Sequence, residues 1–307
     1  MITKKTKFGI AAPHIFPDGK IDTKFIDYFV SMVEGLGYHS LWTQERVIGK
    51  PNAIHPTSFL AYLAGKTSKV KLGVSVLVLP RHNAVHLAKL MADIDCLSSG
   101  RLILGVGLGN NASELPAYGV DSVKRVSRFI EQVKIIKALW TEEEVTYNSQ
   151  FHQLNGAMIN PKPIQSPHPP IWFGANADKA IQRAVTLADG WMGAGSSALD
   201  DFPRKLKLLK ETLASENRDP ATFPISKRLY LAIDDNESRA LSRLRDWFGY
   251  YYGNADNANK AAIWGSKNKI KELLHQWSEL GTDEFLLNPV FDLEKHAEKL
   301  AEITELN

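Results

Sequence analysis

The sequence has almost no cysteine and no long apolar run. Cys96 is the single cysteine in 307 residues, so no internal disulfide can form, and we expect a chain that works in the reducing cytoplasm. No stretch approaches the roughly 20 apolar residues that cross a bilayer. The N-terminus also lacks the apolar core of a signal peptide, so the sequence predicts neither export nor membrane insertion.

The sequence also lacks a strong excess of positive or of negative charge. The 37 lysines and arginines are interspersed with 34 aspartates and glutamates, which leaves a net charge of +3. The one dense basic cluster is Lys4, Lys5 and Lys7, which we interpret as the solvated start of the first strand. Nucleic-acid-binding proteins concentrate their basic residues on one face. We therefore expect no nucleic-acid partner.

Several catalytic motifs are absent or incomplete. GVGLGN at residues 105–110 follows a predicted strand, but the dinucleotide fingerprint G-x-G-x-x-G needs glycine where Asn110 stands. We interpret it as a tight turn that brings backbone close to some other ligand. The sequence has no G-x-S-x-G elbow and no Walker loop. It also offers no lysine near the end of a predicted strand, which a Schiff-base aldolase would require.

His82 and His86 have the four-residue spacing of zinc-binding histidines on one helix face. Asn83 follows His82, at the place where a zinc metalloprotease has glutamate. We therefore expect solvent-facing or helix-capping histidines and no metal.

An alternation of strands and helices is what the sequence does show, most clearly from Val70 to Gly107. Val70–Leu79 is a β-branched apolar run closed by Pro80, and Arg101–Gly107 is again nearly all apolar. The helix predicted between them ends at Gly100 and has one apolar face, formed by Leu87, Leu90, Ile94 and Leu97. A strand that is apolar on both faces belongs in a parallel sheet covered by helices.

The same rhythm predicts eight strands. They are Phe8–Ala12, Ser40–Thr43, Val70–Leu79, Arg101–Gly107, Ile171–Phe173, Trp191–Met192, Leu229–Ile233 and Phe285–Leu287. We predict an α/β fold, a (β/α)₈ TIM barrel that forms one domain over residues 1–307, with a doubly wound sheet as the alternative. We expect a hairpin insertion near residues 145–154, and a lid near 250–266, where an aromatic and Asn-rich segment interrupts the pattern.

Polar and small residues follow several predicted strands at their C-terminal ends, where barrel enzymes place their chemistry. Two groups combine small residues with free backbone N–H groups near helix starts, which suits a phosphate. Asn176 belongs to one of these groups, and we expect its side chain to cap the helix that follows. The candidate phosphate-binding residues are Gly174, Ala175, Asn176, Gly195 and Ser196, and the other rim candidates are His14, Glu45, Arg46 and Asn110.

The order of these pieces resembles the luciferase-like monooxygenase family, which binds FMN or the deazaflavin F420. The resembling segments include SLWTQER, VKLGVSVLVLPRHNAVHLAKLMADIDCLSSGRLILGVGLG, PPIWFGAN and LADGWMGAG. The resemblance implies a (β/α)₈ barrel with the cofactor at the C-terminal ends of the strands. It also implies a non-prolyl cis peptide bond at Ser75–Val76 against the ring, the phosphate at Gly174–Asn176, and Asn110 near the flavin or substrate.

Two positions depart from the pattern of the family. Arg46 stands where some members have a catalytic histidine, and Asn110 stands where some have an acid. Both changes remove a group that titrates near neutrality, because arginine stays charged and an amide does not titrate. We keep Glu45, Arg46 and His14 as the candidate catalytic residues, with Glu45 and Arg46 fixing an anionic substrate or the cofactor ring.

The resemblance implies an oxidoreductase or monooxygenase that uses FMN or F420, with a slight preference for F420, on a small organic substrate. Two alternatives stay open: a flavin-binding protein without turnover, and a phosphosugar isomerase or lyase on the same barrel. The resemblance also leaves room for a separate flavin or F420 reductase as a partner. A homodimer is expected through an apolar patch of Ala88, Met91 and Ala92 on the third helix.

Overall fold

Eight parallel strands close into a barrel in the structure, a computed structural model that describes residues 6–306. Residues 6–306 contain twelve strands, of which β6, β7 and β11 lie outside the barrel and β3 and β4 share one barrel position. They are β1 (Lys7–Ala11), β2 (Ser40–Thr43), β3 (Lys71–Val74), β4 (Leu77–Val78), β5 (Leu102–Gly107), β6 (Val145–Asn148), β7 (Gln153–Ala157), β8 (Ile171–Gly174), β9 (Gly190–Gly193), β10 (Ile225–Ile233), β11 (Ala262–Gly265) and β12 (Glu284–Pro289). The predicted barrel is confirmed. Lys4 and Lys5, assigned to the start of the first strand, lie outside the described residues.

Helices surround the barrel. They are α1 (Thr23–Gly35), α2 (Pro56–Lys66), α3 (Ala84–Leu97), α4 (Arg125–Thr141), α5 (Asp178–Leu187), α6 (Phe202–Ser215), α7 (Glu237–Tyr252), α8 (Ala258–Ala261), α9 (Lys267–Glu279) and α10 (Leu293–Thr304). None of those in residues 6–306 is both long and apolar enough to cross a membrane.

The barrel closes through continuous parallel pairing. β1 pairs with β2 on one side and with β12 on the other, and β10 joins β9 to β12. β3 and β4 together fill one position, since both pair with β5. All barrel strands therefore present their C-terminal ends at one rim.

Local sequence explains why the outer helices begin and end where they do. Asp22 caps α1 by accepting a hydrogen bond from the N–H of Phe25 at 2.9 Å, and Asn83 caps α3 in the same way. Gly100 follows α3 with φ of 76°, a left-handed conformation that glycine adopts without cost. Each helix then turns an apolar face towards the strands.

Two tryptophans fill the interior of the barrel. The rings of Trp42 and Trp172 lie 5.6 Å apart, packed with Ile103, Met192 and Leu286. Trp42 Nε1 donates to Ser40 Oγ at 2.7 Å, and that hydroxyl donates to the buried carboxylate of Glu284. The interior is thus a packed core, and any ligand cavity must lie beyond it towards the rim.

Two segments differ from their sequence predictions. The third strand is broken between β3 and β4, at Ser75 and Val76. Residues 250–266 are no free loop, because they form the end of α7, the helix α8 and the strand β11, which pairs with β10 outside the barrel. A hairpin was expected near residues 145–154, and there β6 and β7 form an antiparallel pair over residues 145–157.

The prediction of an exposed apolar patch on α3 is wrong. Ala88, Met91 and Ala92 are completely buried within the chain, and Trp140 on α4 covers them by donating Nε1–H to the carbonyl of Ala88 at 2.9 Å. The homodimer stays a prediction without that patch.

We predict that Gly73→Ala destabilises the barrel. A Cβ at residue 73 would lie 2.3 Å from Cζ3 of Trp42, which is a clash in a closed core. Overpacking of this kind lowers the free energy of unfolding by about 3 kcal/mol, which urea denaturation would measure. Gly65→Ala is the control, since nothing lies within 4 Å of the added atom and alanine favours the helix α2. Equal stability of the two variants would contradict the packing argument.

Candidate active site

A cavity of about 480 Å³ opens at the C-terminal rim, a size typical of small-molecule sites. Its walls come from the segments that follow β2, β4, β5, β8 and β9, together with β10 and the end of α7. Ten predicted site residues line it: Glu45, Arg46, Ser75, Val76, Asn110, Gly174, Ala175, Asn176, Gly195 and Ser196. Segments far apart in sequence therefore meet at one site.

The wall between β3 and β4 carries a cis peptide bond between Ser75 and Val76, the two residues at which the family resemblance places one. Ser75 Oγ donates to Met192 Sδ at 2.7 Å. Val76 packs against Gly174, where an added Cβ would lie 2.6 Å from its Cγ1. Glycine at residue 174 thus leaves room for the Val76 side chain beside the cavity.

The candidate phosphate wall lies at the start of α5. Asn176 was expected to cap this helix, but Ala177 holds the cap position and the Asn176 amide oxygen instead accepts from Lys205 Nζ at 2.5 Å. Lys205 is buried and also contacts Asp201 at 2.9 Å. The helix N-terminus and a buried ammonium group therefore both favour an anion beside Asn176.

Glu45 is held by several donors. Its side chain is fully buried, with Oε2 accepting from the N–H of Val78 at 2.7 Å and Oε1 lying 2.5 Å from His82 Nε2. The guanidinium of Arg81 lies 3.6 Å away, and it also binds Glu114 at 2.5 Å. Glu45 thus stabilises the chain after the cis peptide bond rather than standing free in the cavity.

The structure corrects the interpretation of His82. It was expected to lie on a helix and to face solvent or cap, but α3 begins two residues later and the His82 ring is bound to Glu45. Its spacing from His86 contained no information about this contact, which forms with a residue 37 positions away.

His14 is the predicted catalytic residue that the structure does not bring to the cavity. Its ring is buried, Nδ1 donates to the carbonyl of Ala12 at 2.7 Å, and the ring of Phe59 lies 6.4 Å away. Burial lowers the pKa of His14 from 6.5 to about 4, so the ring is neutral at physiological pH. That position does not support the predicted catalytic role.

Arg228 is a site residue that the sequence analysis missed. This buried guanidinium in β10 donates from Nη1 to the carbonyl of Ser75 at 2.8 Å, and from Nε and Nη2 to Asn288 Oδ1 at 3.0 and 2.7 Å. It also donates to the hydroxyl of Tyr230. The predicted seventh strand began at Leu229, so the inward-facing arginine one residue earlier was overlooked.

The same early start of β10 adds Lys227 to a barrel strand, near the beginning of that strand and not near its C-terminal end. Lys227 is fully buried, donates to the carbonyl of Ala194 at 2.6 Å and lies against the ring of Phe202. Burial lowers the pKa of Lys227 to about 7. Its side chain packs towards α6 and does not line the cavity, so it does not supply a Schiff-base site there.

Arginine dominates the charge of the cavity. Five arginines line it against two glutamates, and both glutamates are bound by Arg81. Within residues 6–306, no carboxylate lies within salt-bridge distance of the other four, Arg46, Arg125, Arg183 and Arg228. Arg46 Nε and Arg125 Nη1 are in addition buried without a hydrogen-bond partner. Such a cavity fits an anionic ligand.

This geometry defines a (β/α)₈ barrel protein with a cationic small-molecule site at the C-terminal rim. The luciferase-like monooxygenase family matches residues 7–305, and the chain belongs to that family. The match confirms the family prediction and the prediction of an oxidoreductase. The F420-dependent glucose-6-phosphate dehydrogenase of Kineococcus radiotolerans is 31% identical over 231 residues, which covers 71% of this chain and 67% of that protein.

Solved structures of low identity share the fold. An F420-dependent secondary alcohol dehydrogenase in complex with an F420-acetone adduct has a TM-score of 0.84 and 18% identity, covering 97% of this chain and 98% of its own. The oxygenating constituent of 3,6-diketocamphane monooxygenase from Pseudomonas putida, in complex with FMN, has a TM-score of 0.74 and 14% identity, covering 98% and 96%. These likenesses support the barrel architecture.

We predict that His14 makes stability depend on pH below neutrality. Because the folded state holds the His14 pKa near 4 against 6.5 in the unfolded chain, the unfolded chain binds the extra proton first as the pH falls. Between about pH 7 and about pH 4.5 this costs roughly 2.5 kcal/mol of unfolding free energy. Urea denaturation at both pH values would show a smaller loss for His14→Gln than for the parent protein. Equal losses of unfolding free energy in the two proteins would show that the His14 ring is solvated in the folded state.

Proposed function

We propose that the protein is an F420-dependent oxidoreductase that transfers hydride between the deazaflavin and the carbonyl or alcohol group of a small organic substrate. The observation that carries this proposal is the set of four cavity arginines without a carboxylate partner. F420 carries a phosphodiester and further carboxylates on its side chain, whereas FMN ends in a single phosphate. The more anionic cofactor suits the greater number of unmatched cations.

The residues present fit such a cofactor. Asn176 and Ala177 at the start of α5, with Gly195 and Ser196 after the neighbouring strand β9, would hold the phosphate group, and Arg183 on α5 adds a nearby cation. Ser75 and Val76 would lie against the ring, beside the guanidinium of Arg228. The orphaned polar atoms of Arg46 and Arg125 would gain anionic partners.

A bound deazaflavin supplies a ring carbon that accepts or donates hydride. The chain itself binds, orients and excludes water. Arg228 keeps the Ser75 carbonyl and the Tyr230 hydroxyl in fixed positions, and Glu45 fixes the backbone after the cis peptide bond through Val78. These contacts hold the floor of the cavity rigid, which is what a reaction that depends on orientation requires.

The family match also weakens the two alternatives. A phosphosugar isomerase or lyase would use the phosphate wall, but the family and the reported relative are redox enzymes. A flavin-binding protein without turnover would bind the cofactor and leave every substrate unchanged.

We predict that the purified protein binds F420 at least about tenfold more tightly than FMN, since each further charge-assisted hydrogen bond contributes about 1.5 kcal/mol or more. Fluorescence titration with each cofactor measures this ratio. Tighter binding of FMN would contradict the proposed cofactor, and binding of neither would contradict the flavin-type assignment.

We further predict that Arg183→Gln raises the dissociation constant of F420 about tenfold and reduces its dependence on salt, because one cation facing the cofactor is lost. Arg239→Gln is the matched control, since Arg239 pairs with Asp234 at 2.6 Å and does not line the cavity. Equal effects of the two changes would show that Arg183 acts only through the overall charge.

A further inference from the structure

The proposed reaction needs a proton donor. At the two positions where some members of the family have a titratable group, this chain has none that serves. Reduction of a carbonyl needs a proton at the oxygen. Arg46 is a poor donor because its guanidinium stays protonated, and Asn110 is a poor donor because its amide does not titrate. The carboxylates that line the cavity are already bound. Glu45 accepts from Val78 and His82, and Glu114 is held by Arg81 and Asn111.

Two hydroxyl groups at the inner wall are linked directly. Tyr252, at the end of α7, lines the cavity, and its hydroxyl lies 2.8 Å from that of Tyr230 on β10. Tyr230 is completely buried behind it. A half-buried phenol therefore faces the cavity with a second, fully enclosed phenol at its back.

Arg228 occupies one acceptor position of the Tyr230 oxygen. A guanidinium can only donate, so the Tyr230 oxygen must accept from Arg228 Nη2. The single proton of Tyr230 then goes either to Tyr252 at 2.8 Å or to Gln44 Oε1 at 3.3 Å, and the shorter contact is to Tyr252. When Tyr230 donates to Tyr252, the proton of Tyr252 is left for a ligand in the cavity that Tyr252 lines.

The position of this proton suits the reaction. Arg228 donates to Tyr230 with one end of its guanidinium and to the Ser75 carbonyl with the other. The Tyr252 hydroxyl is thus linked by three hydrogen bonds to the peptide against which the proposed ring lies. Burial also raises the pKa of Tyr230 far above its usual value, so this phenol stays protonated and keeps donating.

We propose that Tyr252 is the catalytic acid in carbonyl reduction and the base in the reverse reaction, with Tyr230 and Arg228 as positioning residues. The inference rests on the proposed function.

In the forward direction the carbonyl carbon gains hydride, one hydrogen with two electrons, from the reduced deazaflavin, which becomes oxidised, and the C=O π pair moves onto oxygen. That oxygen takes the Tyr252 proton. The phenolate, stabilised by the Tyr230 hydroxyl, regains a proton from solvent.

The test compares Tyr252→Phe with the parent protein loaded with reduced F420. A panel of acetone, cyclohexanone and benzaldehyde serves as the carbonyl probes. We expect Tyr252→Phe to lower kcat about a hundredfold or more, because a positioned general acid contributes at least that much. The F420 dissociation constant should stay within about twofold, since the cofactor contacts are intact.

A readout without turnover accompanies the rate. With oxidised F420 bound, a ketone forms a dead-end complex whose affinity fluorescence reports, and loss of the Tyr252 hydrogen bond should weaken it about tenfold. Tyr230→Phe should lower kcat by a smaller factor, because Tyr252 keeps its own proton and loses only the donor behind it.

Two control variants isolate the effect. Tyr250→Phe makes the same change on the same helix, where the hydroxyl accepts from the N–H of Asn52 at 2.8 Å, away from the cavity. Tyr251→Phe removes the other tyrosine hydroxyl of the cavity wall. Tyr250→Phe should retain kcat within about threefold. Tyr251→Phe should lower kcat less than Tyr252→Phe does, because the Tyr251 hydroxyl is not in the chain of hydrogen bonds to Arg228.

Three results would overturn the inference: an unchanged kcat in Tyr252→Phe, an equal loss in Tyr250→Phe, or a loss confined to Tyr251→Phe. Binding of F420 without reduction of any carbonyl in the panel would also overturn it and leave the cofactor assignment standing. Failure to bind F420 at all would instead overturn the proposed function.

Discussion

The candidate site depends on one buried cation. The Arg228 guanidinium lies where the barrel core ends and the cavity begins, and a charge in such a place is costly unless its donors are used. Its N–H groups bind the Ser75 carbonyl, Asn288 Oδ1 and the Tyr230 hydroxyl. Because β10 supplies the arginine and the β3–β4 break supplies the carbonyl, this one side chain ties opposite walls of the barrel together.

The two tryptophans in the core set the depth at which this happens. Trp42 and Trp172 fill the space between the strands, and Gly73 lacks a side chain where the Trp42 ring lies. A cavity can therefore form only above them, where β3 is interrupted. The packing that stabilises the barrel thus also fixes the floor on which polar groups from several strands converge.

The fold could be predicted from the sequence because each barrel strand reads as a short apolar run and each helix has one apolar face. The rim residues followed from the rule that parallel strands present their C-terminal ends together.

Periodicity does not reveal which polar side chains meet across a barrel. Arg228 lay beyond a predicted strand boundary, and Tyr252 lay in a segment interpreted as a lid. The patch on α3 failed for a related reason, because small apolar residues fit a helix–helix contact within one chain as well as they fit a dimer interface.

The balance of charge in the cavity bears on the substrate. Arg81 binds Glu45 and Glu114, so neither offers a free anion, while Arg46, Arg125 and Arg183 have no carboxylate partner. The uncharged lining residues of the cavity include Val76, Leu108, Tyr251 and Tyr252. Such walls do not compensate a further charge, and burying an unmatched charge is strongly unfavourable. Under the proposed function, the arginines that would recognise an anionic substrate are the same ones that the cofactor requires, so we propose that the substrate is an uncharged carbonyl or alcohol.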